Sequence, residues 1–322
     1  MKRRHLLVTA ASALPLLHAP QALAQSDKPI KLIVGFPPGG SIDTVARTIA
    51  EKMRIDLNQP VVIENKTGAG GRLAAELLKN APADGTTLMI TPVVVPVLAP
   101  LVFSKLPYNP ATDFTPVGQV VNFNFGLAVK GDSPIKSVPE FVAWLKANPQ
   151  KASFGSPAAG SLPHFFGLLL AREAKVDMVH ISYNGGAPLQ TAVLGDQVPA
   201  GIDVVFEFLQ NHRAGKARII ATSGRARAKV LPDVPTFAEQ GFPNIVGQGW
   251  FGLYAPPKTA SAEVERVNKA LNKALASPDV IEKFLSLGLE TGGGSAADLV
   301  RIMEADTNRW GPIVKASGFK AD

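Results

Sequence analysis

Between residues 30 and 91 the chain alternates short, nearly unbroken apolar runs with stretches of helical periodicity. The spacing predicts a strand over 30–35, a helix over 44–57, a strand over 61–64, a helix over 72–79 and a strand over 87–91. Strands that read as continuous apolar runs are buried on both faces, and strand–helix alternation is the pattern of a parallel sheet covered by helices. An α/β fold follows.

The same rhythm returns further along. After a proline-punctuated segment at 92–116, strands over 117–121 and 125–130 lead to a helix at 138–147, a strand at 151–155, a helix at 162–174, a strand at 178–183, a helix at 188–195 and strands at 202–206 and 218–223. A strand over 250–255 leads back to the first unit, and helices over 262–276, 278–287 and 296–318 complete the chain. The first 24 residues stand apart: Lys2, Arg3 and Arg4 precede an apolar stretch at 6–17, and Ala22 and Ala24 sit at −3 and −1 of an export cleavage site before Gln25. Removing them leaves 298 residues (322 − 24), about where single cores stop growing. Two lobes are therefore expected, 25–125 plus 249–300 and 126–248 plus 301–322. A chain that crosses more than once between lobes makes a hinge, and a hinge makes a closable cleft.

Four turns are candidates for lining that cleft, each following a strand and opening a helix. The first lobe supplies Phe36, Gly39, Gly40, Ser41 and, from the second turn, Gly68, Ala69, Gly70 and Gly71; Thr91 lies at the end of the third strand. The second lobe supplies Ser156, Ala159, Gly160 and Ser161, then Tyr183, Gly185, Gly186 and Ala187. Helix starts leave backbone N–H groups unpaired and carry partial positive charge, so they suit a carboxylate or phosphate. In open α/β sheets such ligands lie beyond the carboxyl ends of the strands. Asp43 is placed as the N-cap of the first helix and Ser161 as a cap in the second lobe. His164 either packs within the fold, orients its turn or touches a ligand. Asp203, an acid in an apolar strand, requires a partner, either a facing loop or a donor on the ligand. Glu207 is expected near the cleft rim, and no arginine is evidently placed to clamp an anion.

Several functions are disfavoured. Without 1–24 the formal charge falls from +7 to +4, with no basic block to hold nucleic acid. There is no cysteine, and His164, His180 and His212 form no helical ligand pair, so no metal or other cofactor is expected. The apolar stretch at 88–103 is cut by Pro92, Pro96 and Pro100 and makes a poor membrane span. Gly68-Ala69-Gly70 lacks the later glycine of a dinucleotide fingerprint, and Ser133-Pro134-Ile135-Lys136 lacks the companion motifs of an acyl-transfer site. An exported hydrolase built on Ser41 or Ser161 with His164 and Asp203 has no nucleophile-elbow motif.

The turns 37–43 (PPGGSID) and 64–71 (ENKTGAGG), with 83–88 (ADGTTL), 231–236 (LPDVPT), 250–256 (WFGLYAP), Tyr108-Asn109-Pro110 and Asp113-Phe114, resemble in combination the Bug family of extracytoplasmic solute receptors, across 28–320. The resemblance implies a two-lobed periplasmic binding protein of the Venus-flytrap kind, each lobe a mostly parallel sheet flanked by helices. It implies capture of a small organic carboxylate in the periplasm and delivery, as a monomer, to the membrane components of a tripartite tricarboxylate transporter. A receptor that signals to a regulatory partner would need the same clamshell. In the second lobe the chain departs from the family's glycine-rich turn, carrying Pro157, Ala158 and Ala159 between Gly155 and Gly160. Phe36, Phe123, Phe125 and Phe206 are candidates for an apolar pocket lining.

Overall fold

The computed structural model describes residues 28–321, so the expected leader at 1–24 and its cleavage site lie outside the described residues. In chain order the elements are β1 (Ile30–Val34), α1 (Ser41–Leu57), β2 (Val61–Asn65), α2 (Arg72–Lys79), β3 (Thr87–Pro92), α3 (Ala99–Val102), α4 (Pro110–Asp113) and β4 (Thr115–Lys130). There follow α5 (Val138–Ala147), β5 (Ser153–Ser156), α6 (Leu162–Ala174), β6 (Val179–Ser182), α7 (Gly186–Leu194), β7 (Gly201–Val204), α8 (Val205–Arg213) and β8 (Ala217–Thr222). The chain ends with β9 (Gln248–Ala255), α9 (Ser261–Leu275), α10 (Pro278–Ser286), β10 (Leu289–Gly293) and α11 (Ala296–Ser317).

The opening strands behave as their sequence predicts. In β1 only Lys31 is exposed, and the strand pairs in parallel with both β2 and β3. α1 lays Val45, Ala46, Ile49, Met53 and Leu57 against this sheet, a stripe of period 3.6. Burial of each large side chain there stabilises by roughly 1.5–3 kcal/mol. Asn58, in the left-handed region at φ 48°, ends the helix.

β4 is one strand where two are expected. Residues 115–124 of β4 pair with β9, and 119–123 also pair with β10, giving a first sheet ordered β2-β1-β3-β9-β4-β10. From Phe125 the same strand pairs with β7 and β8, giving a second sheet ordered β6-β5-β7-β4-β8. Asn122 and Asn124 read as a break, yet they stay in the strand because their side-chain oxygens accept from Gln119 (2.6 Å) and Gln248 (3.2 Å). Register shifts near 117, 120 and 127 bend the strand so that it serves two sheets.

Two further departures bear on the site. The apolar run at 202–206 is not all strand: β7 stops at Val204, and α8 begins at Val205 with Val205, Phe208 and Leu209 turned inward. β10, at the glycine-rich 289–293, was not expected at all. Where the sheets meet, Phe251 of β9, Phe123 and Phe125 of β4, Phe166 of α6 and Trp310 of α11 form a chain of ring contacts at 4.7–5.5 Å. Gly249 makes room for it, since a Cβ there would lie 2.3 Å from the Phe123 ring. α11 lies against both halves: Asp306 accepts from the Trp250 indole N–H at 2.7 Å, Trp310 packs on Phe166, and the Ala321 N–H beyond it donates to the Val102 carbonyl.

Candidate functional site

All four turns lie between the two sheets, and they enclose two adjoining cavities. An inner chamber of ≈ 120 Å³ lies between Phe36–Ile42 (Gly39 apart), Pro92–Val94, Phe123 and Phe251 on one side and Pro157, Ser161–Pro163, Asn184–Pro188 and the start of α8 on the other. An outer cavity of ≈ 720 Å³ is walled by Gly68–Gly70, Arg72 and Phe103, by Ala158–Ala159 and Ser182–Gly185, and by Phe319–Ala321. Phe36, Pro37, Pro157, Ala158, Asn184 and Gly185 face both.

The two turns of the first sheet are built as one unit. Four residues in a row, Gly68, Ala69, Gly70 and Gly71, have positive φ (151°, 49°, 64° and 90°), a path the three glycines take without strain and Ala69 at some cost. Gly35 lets the turns touch, because a Cβ there would lie 2.9 Å from the Gly71 Cα. Asn65 fastens them: its side-chain N–H groups donate to the Phe36 carbonyl (3.1 Å) and to Asp43 Oδ1 (2.9 Å).

Asp43 is not the N-cap expected of it. Gly40 occupies that position, while the Asp43 carboxylate folds back to accept from the Gly39 N–H (3.0 Å) and from the Arg47 fork (2.9 and 3.0 Å). Burial pushes its carboxyl up, but the hydrogen bonds from Arg47, Gly39 and Asn65 outweigh this and hold it below the ordinary range. Asp43 supports the turn from beneath and does not face either cavity.

In the second sheet's turns Ser156 and Ser161 both donate to the Ala158 carbonyl (3.0 and 2.7 Å), so Ser161 holds the N-cap position of α6 as expected but spends its hydroxyl on its own turn and makes no side-chain cap bond. The Gly185 N–H donates to the Pro157 carbonyl and joins this turn to the next. His164 is buried beneath: its Nδ1 accepts from the Gly160 N–H (3.1 Å), and its ring stacks on His180 at 3.8 Å. His180 Nε2 lies 2.7 Å from Ser156 Oγ. With the Ser156 proton directed to Ala158, that contact makes Nε2–H the donor. Burial drives both imidazoles down, His180 to about 4 and His164 to about 3, the latter helped by the neighbouring ring. No hydrogen bond joins Ser41, Ser161, His164 and Asp203 into a proton relay among the described residues, and His164 Nδ1 is already used.

Of the residues anticipated for ligand contact, Phe36, Gly40, Ser41, Gly68, Ala69, Gly70, Ala159, Ser161, Tyr183, Gly185, Gly186, Ala187 and Asp203 face one cavity or both. Gly39, Asp43, Gly71, Thr91, Ser156, Gly160 and His164 line neither cavity. Phe123 and Phe125 join Phe36 in the inner wall, whereas Phe206 does not.

Two charged residues are where the sequence did not place them. Arg72, the first residue of α2, stands in the wall of the outer cavity with its guanidinium 3.8 Å over the Phe103 ring, and among the described residues it has no carboxylate partner. Glu207 is not at the rim: from the first turn of α8 it reaches across, and its Oε1 accepts from the Ser41 N–H at 2.9 Å. The i, i+3, i+4 spacing of Val205, Phe208 and Leu209 was the available signal that this stretch is helical. Behind Glu207, Asp203 is 3% exposed; Oδ1 accepts from the Val204 N–H (2.7 Å), while Oδ2 has no partner. Burial and the charge of Glu207 raise the Asp203 carboxyl well above its ordinary range. Burial also raises Glu207, against the pull of Ser41.

Comparison with known proteins gives the same reading of the architecture. The family model described as tripartite tricarboxylate transporter family receptor matches residues 45–319. Protein BugT of Bordetella pertussis is 33% identical over 295 residues, 91% of this chain and 90% of its own. Rpa4515 of R. palustris, solved with adipate, superposes with a TM-score of 0.88 at 31% identity, covering 91% of this chain and 98% of that one. MatC of Rhodopseudomonas palustris, solved with bound malate, gives 0.84 at 32% identity over 89% and 99% of the two chains. A two-sheet clamshell with paired turns over a shared cavity, matched along nine-tenths of its length, belongs to the tripartite tricarboxylate transporter receptor family of solute-binding proteins.

Proposed function

We propose that this receptor captures a small organic carboxylate in the periplasm by closing two lobes over it, and presents the closed form to the membrane components of a tripartite tricarboxylate transporter. The observation that carries the reading is the outer cavity, where Arg72 and the positive-φ backbone of 68–70 face the second-sheet turns across an open space. A partly desolvated guanidinium with no carboxylate partner among the described residues suits a carboxylate, and a charge-assisted hydrogen bond there contributes roughly 1.5–3 kcal/mol. The carboxylates held by Rpa4515 and MatC support the same ligand class.

The lobes of this proposal are 25–125 plus 249–300 and 126–248 plus 301–322, with the change of β4 partners after Asn124 as hinge and α11 reaching across both. The ligand contacts are the cavity-facing turn residues named above together with Arg72. Export with cleavage after Ala24 and action as a monomer complete the reading. The test is thermal melting with mono-, di- and tricarboxylates and sugar phosphates. At a hundred times its dissociation constant a ligand that binds only the folded state adds about 2.7 kcal/mol. Selective shifts with carboxylates are expected; shifts with phosphates alone would overturn the assignment.

A further inference from the structure

The start of α1 is the most obvious place in the cleft for an anion, and this chain already fills it. Glu207 comes from the opposite side of the cleft, 166 residues away in sequence, and its Oε1 takes the Ser41 N–H at 2.9 Å. The fit is close: a Cβ on Gly186 would lie 2.7 Å from the Glu207 carboxylate, and one on Gly40 would lie 3.5 Å from Oε1. Beside it, the unpartnered Asp203 Oδ2 belongs to a side chain almost wholly buried in the wall of the inner chamber. A second carboxylate brought here would find the Ser41 N–H already taken and only the oxygens of Glu207 and Asp203 beside it, in a poorly solvated space. Apart from Ser41, Ser161 and Asn184 the rest of that wall is apolar, with Phe36, Phe123, Phe125 and Phe251 in it.

We propose, building on the carboxylate-receptor reading, that Glu207 sets the ligand class: it occupies the anion position at α1, so the ligand carries a single carboxylate, held in the outer cavity, and inserts an uncharged apolar body into the inner chamber. The six residues shared by the two cavities make this one continuous binding path. The chamber, at ≈ 120 Å³, is close to but below the roughly 150 Å³ cavity that encloses a benzene ring, which sets an upper limit of about six carbons on the body it takes. Asp203 Oδ2 gives such a body one polar mark to meet.

Matched pairs of probes isolate the effect. Hexanoate and adipate share a six-carbon chain and differ by one carboxylate; benzoate and terephthalate do the same for a ring. Calorimetric titration of the purified protein should show each monocarboxylate binding at least about tenfold tighter than its dicarboxylate partner. Glu207→Ala, which empties the α1 position, should shrink that ratio by about tenfold. Dicarboxylates that match or beat their partners on the unaltered protein would overturn the inference while leaving the receptor reading intact, as would a ratio that Glu207→Ala does not move. If none of the four probes binds, the carboxylate reading falls and this one with it. Should Glu207→Ala fail to fold, the ratio on the unaltered protein decides alone.

Discussion

Acidification from about pH 7.5 to about pH 5 should cost this protein stability through two stacked histidines, and replacing either should remove half of that cost. His180 and His164 titrate at about 4 and about 3 in the fold, against 6.5 in an ordinary setting, because both are buried. Above pH 6.5 neither the folded nor the unfolded chain holds these protons, so the pair contributes nothing to the pH dependence. Below 6.5 the unfolded chain binds protons that the folded chain refuses, and stability falls until the folded values are reached. At roughly 1.36 kcal/mol per pH unit per histidine, pH 5 lies about 1.5 units into that window and costs about 2 kcal/mol each, or about 4 kcal/mol together. His212, also lowered by burial and by neighbouring arginines, acts in the same direction. The raised carboxyls of Asp203, Glu207 and Asp306 act oppositely, taking up protons in the fold before they would in the unfolded chain. A single melting curve therefore mixes both signs, and the informative quantity is a difference. Melting His180→Gln and His164→Gln beside the unaltered protein at both pH values should reduce the acid-induced drop by about 2 kcal/mol in each variant, or about 4 °C. Variants that lose as many degrees as the unaltered protein would refute the argument. Since Ser156 and Gly160 bond these rings, the turn between them should loosen in the folded protein only near pH 4 and below, where the rings themselves take up protons.

Two further outcomes follow from the outer cavity. Arg72→Gln should weaken carboxylate binding by about 10- to 100-fold in calorimetry, since it removes a charge-assisted hydrogen bond of roughly 1.5–3 kcal/mol. Unchanged affinity would place the anion elsewhere. Gly70→Val puts a β-branched side chain at φ 64°, a strain of roughly 1–2 kcal/mol, but into open space whose nearest atom is an Arg72 nitrogen at 3.8 Å. The melt should therefore drop by only a few degrees while carboxylate binding is lost; retained binding would exclude a backbone grip at this turn.

The opening βαβαβ unit was legible because strands buried on both faces leave no polar alternation to confuse them, and because glycine-rich turns announce the helix starts. The four turns around the cavities were legible for the same local reason. What escaped were features fixed by contacts distant in sequence. Glu207 looked like a rim residue because nothing within a few positions reports that α8 aims it at Ser41 across the cleft. No arginine stood out as an anion clamp, since what holds Arg72 in the cavity wall is Phe103, 31 residues on. β4 was divided in two at Asn122 and Asn124, whose polar groups are satisfied by Gln119 and by Gln248 of β9. The glycines of 289–293 hid β10, which exists because the edge of β4 was open to it. Asp43 was a plausible cap by position, but Asn65 and Arg47 drew its carboxylate the other way.

The crossing of α11 over both sheets has an optical consequence. The chain has three tryptophans, and two of them belong to that crossing: Trp250 is hydrogen-bonded to Asp306, and Trp310, 1% exposed, sits edge-on to Phe166. The third, Trp144, belongs to α5. Any rotation of one sheet against the other must alter the surroundings of the two junction indoles. Their intrinsic emission is thus a label-free gauge of opening and closing, and it can be read in the same cuvette in which a ligand is titrated.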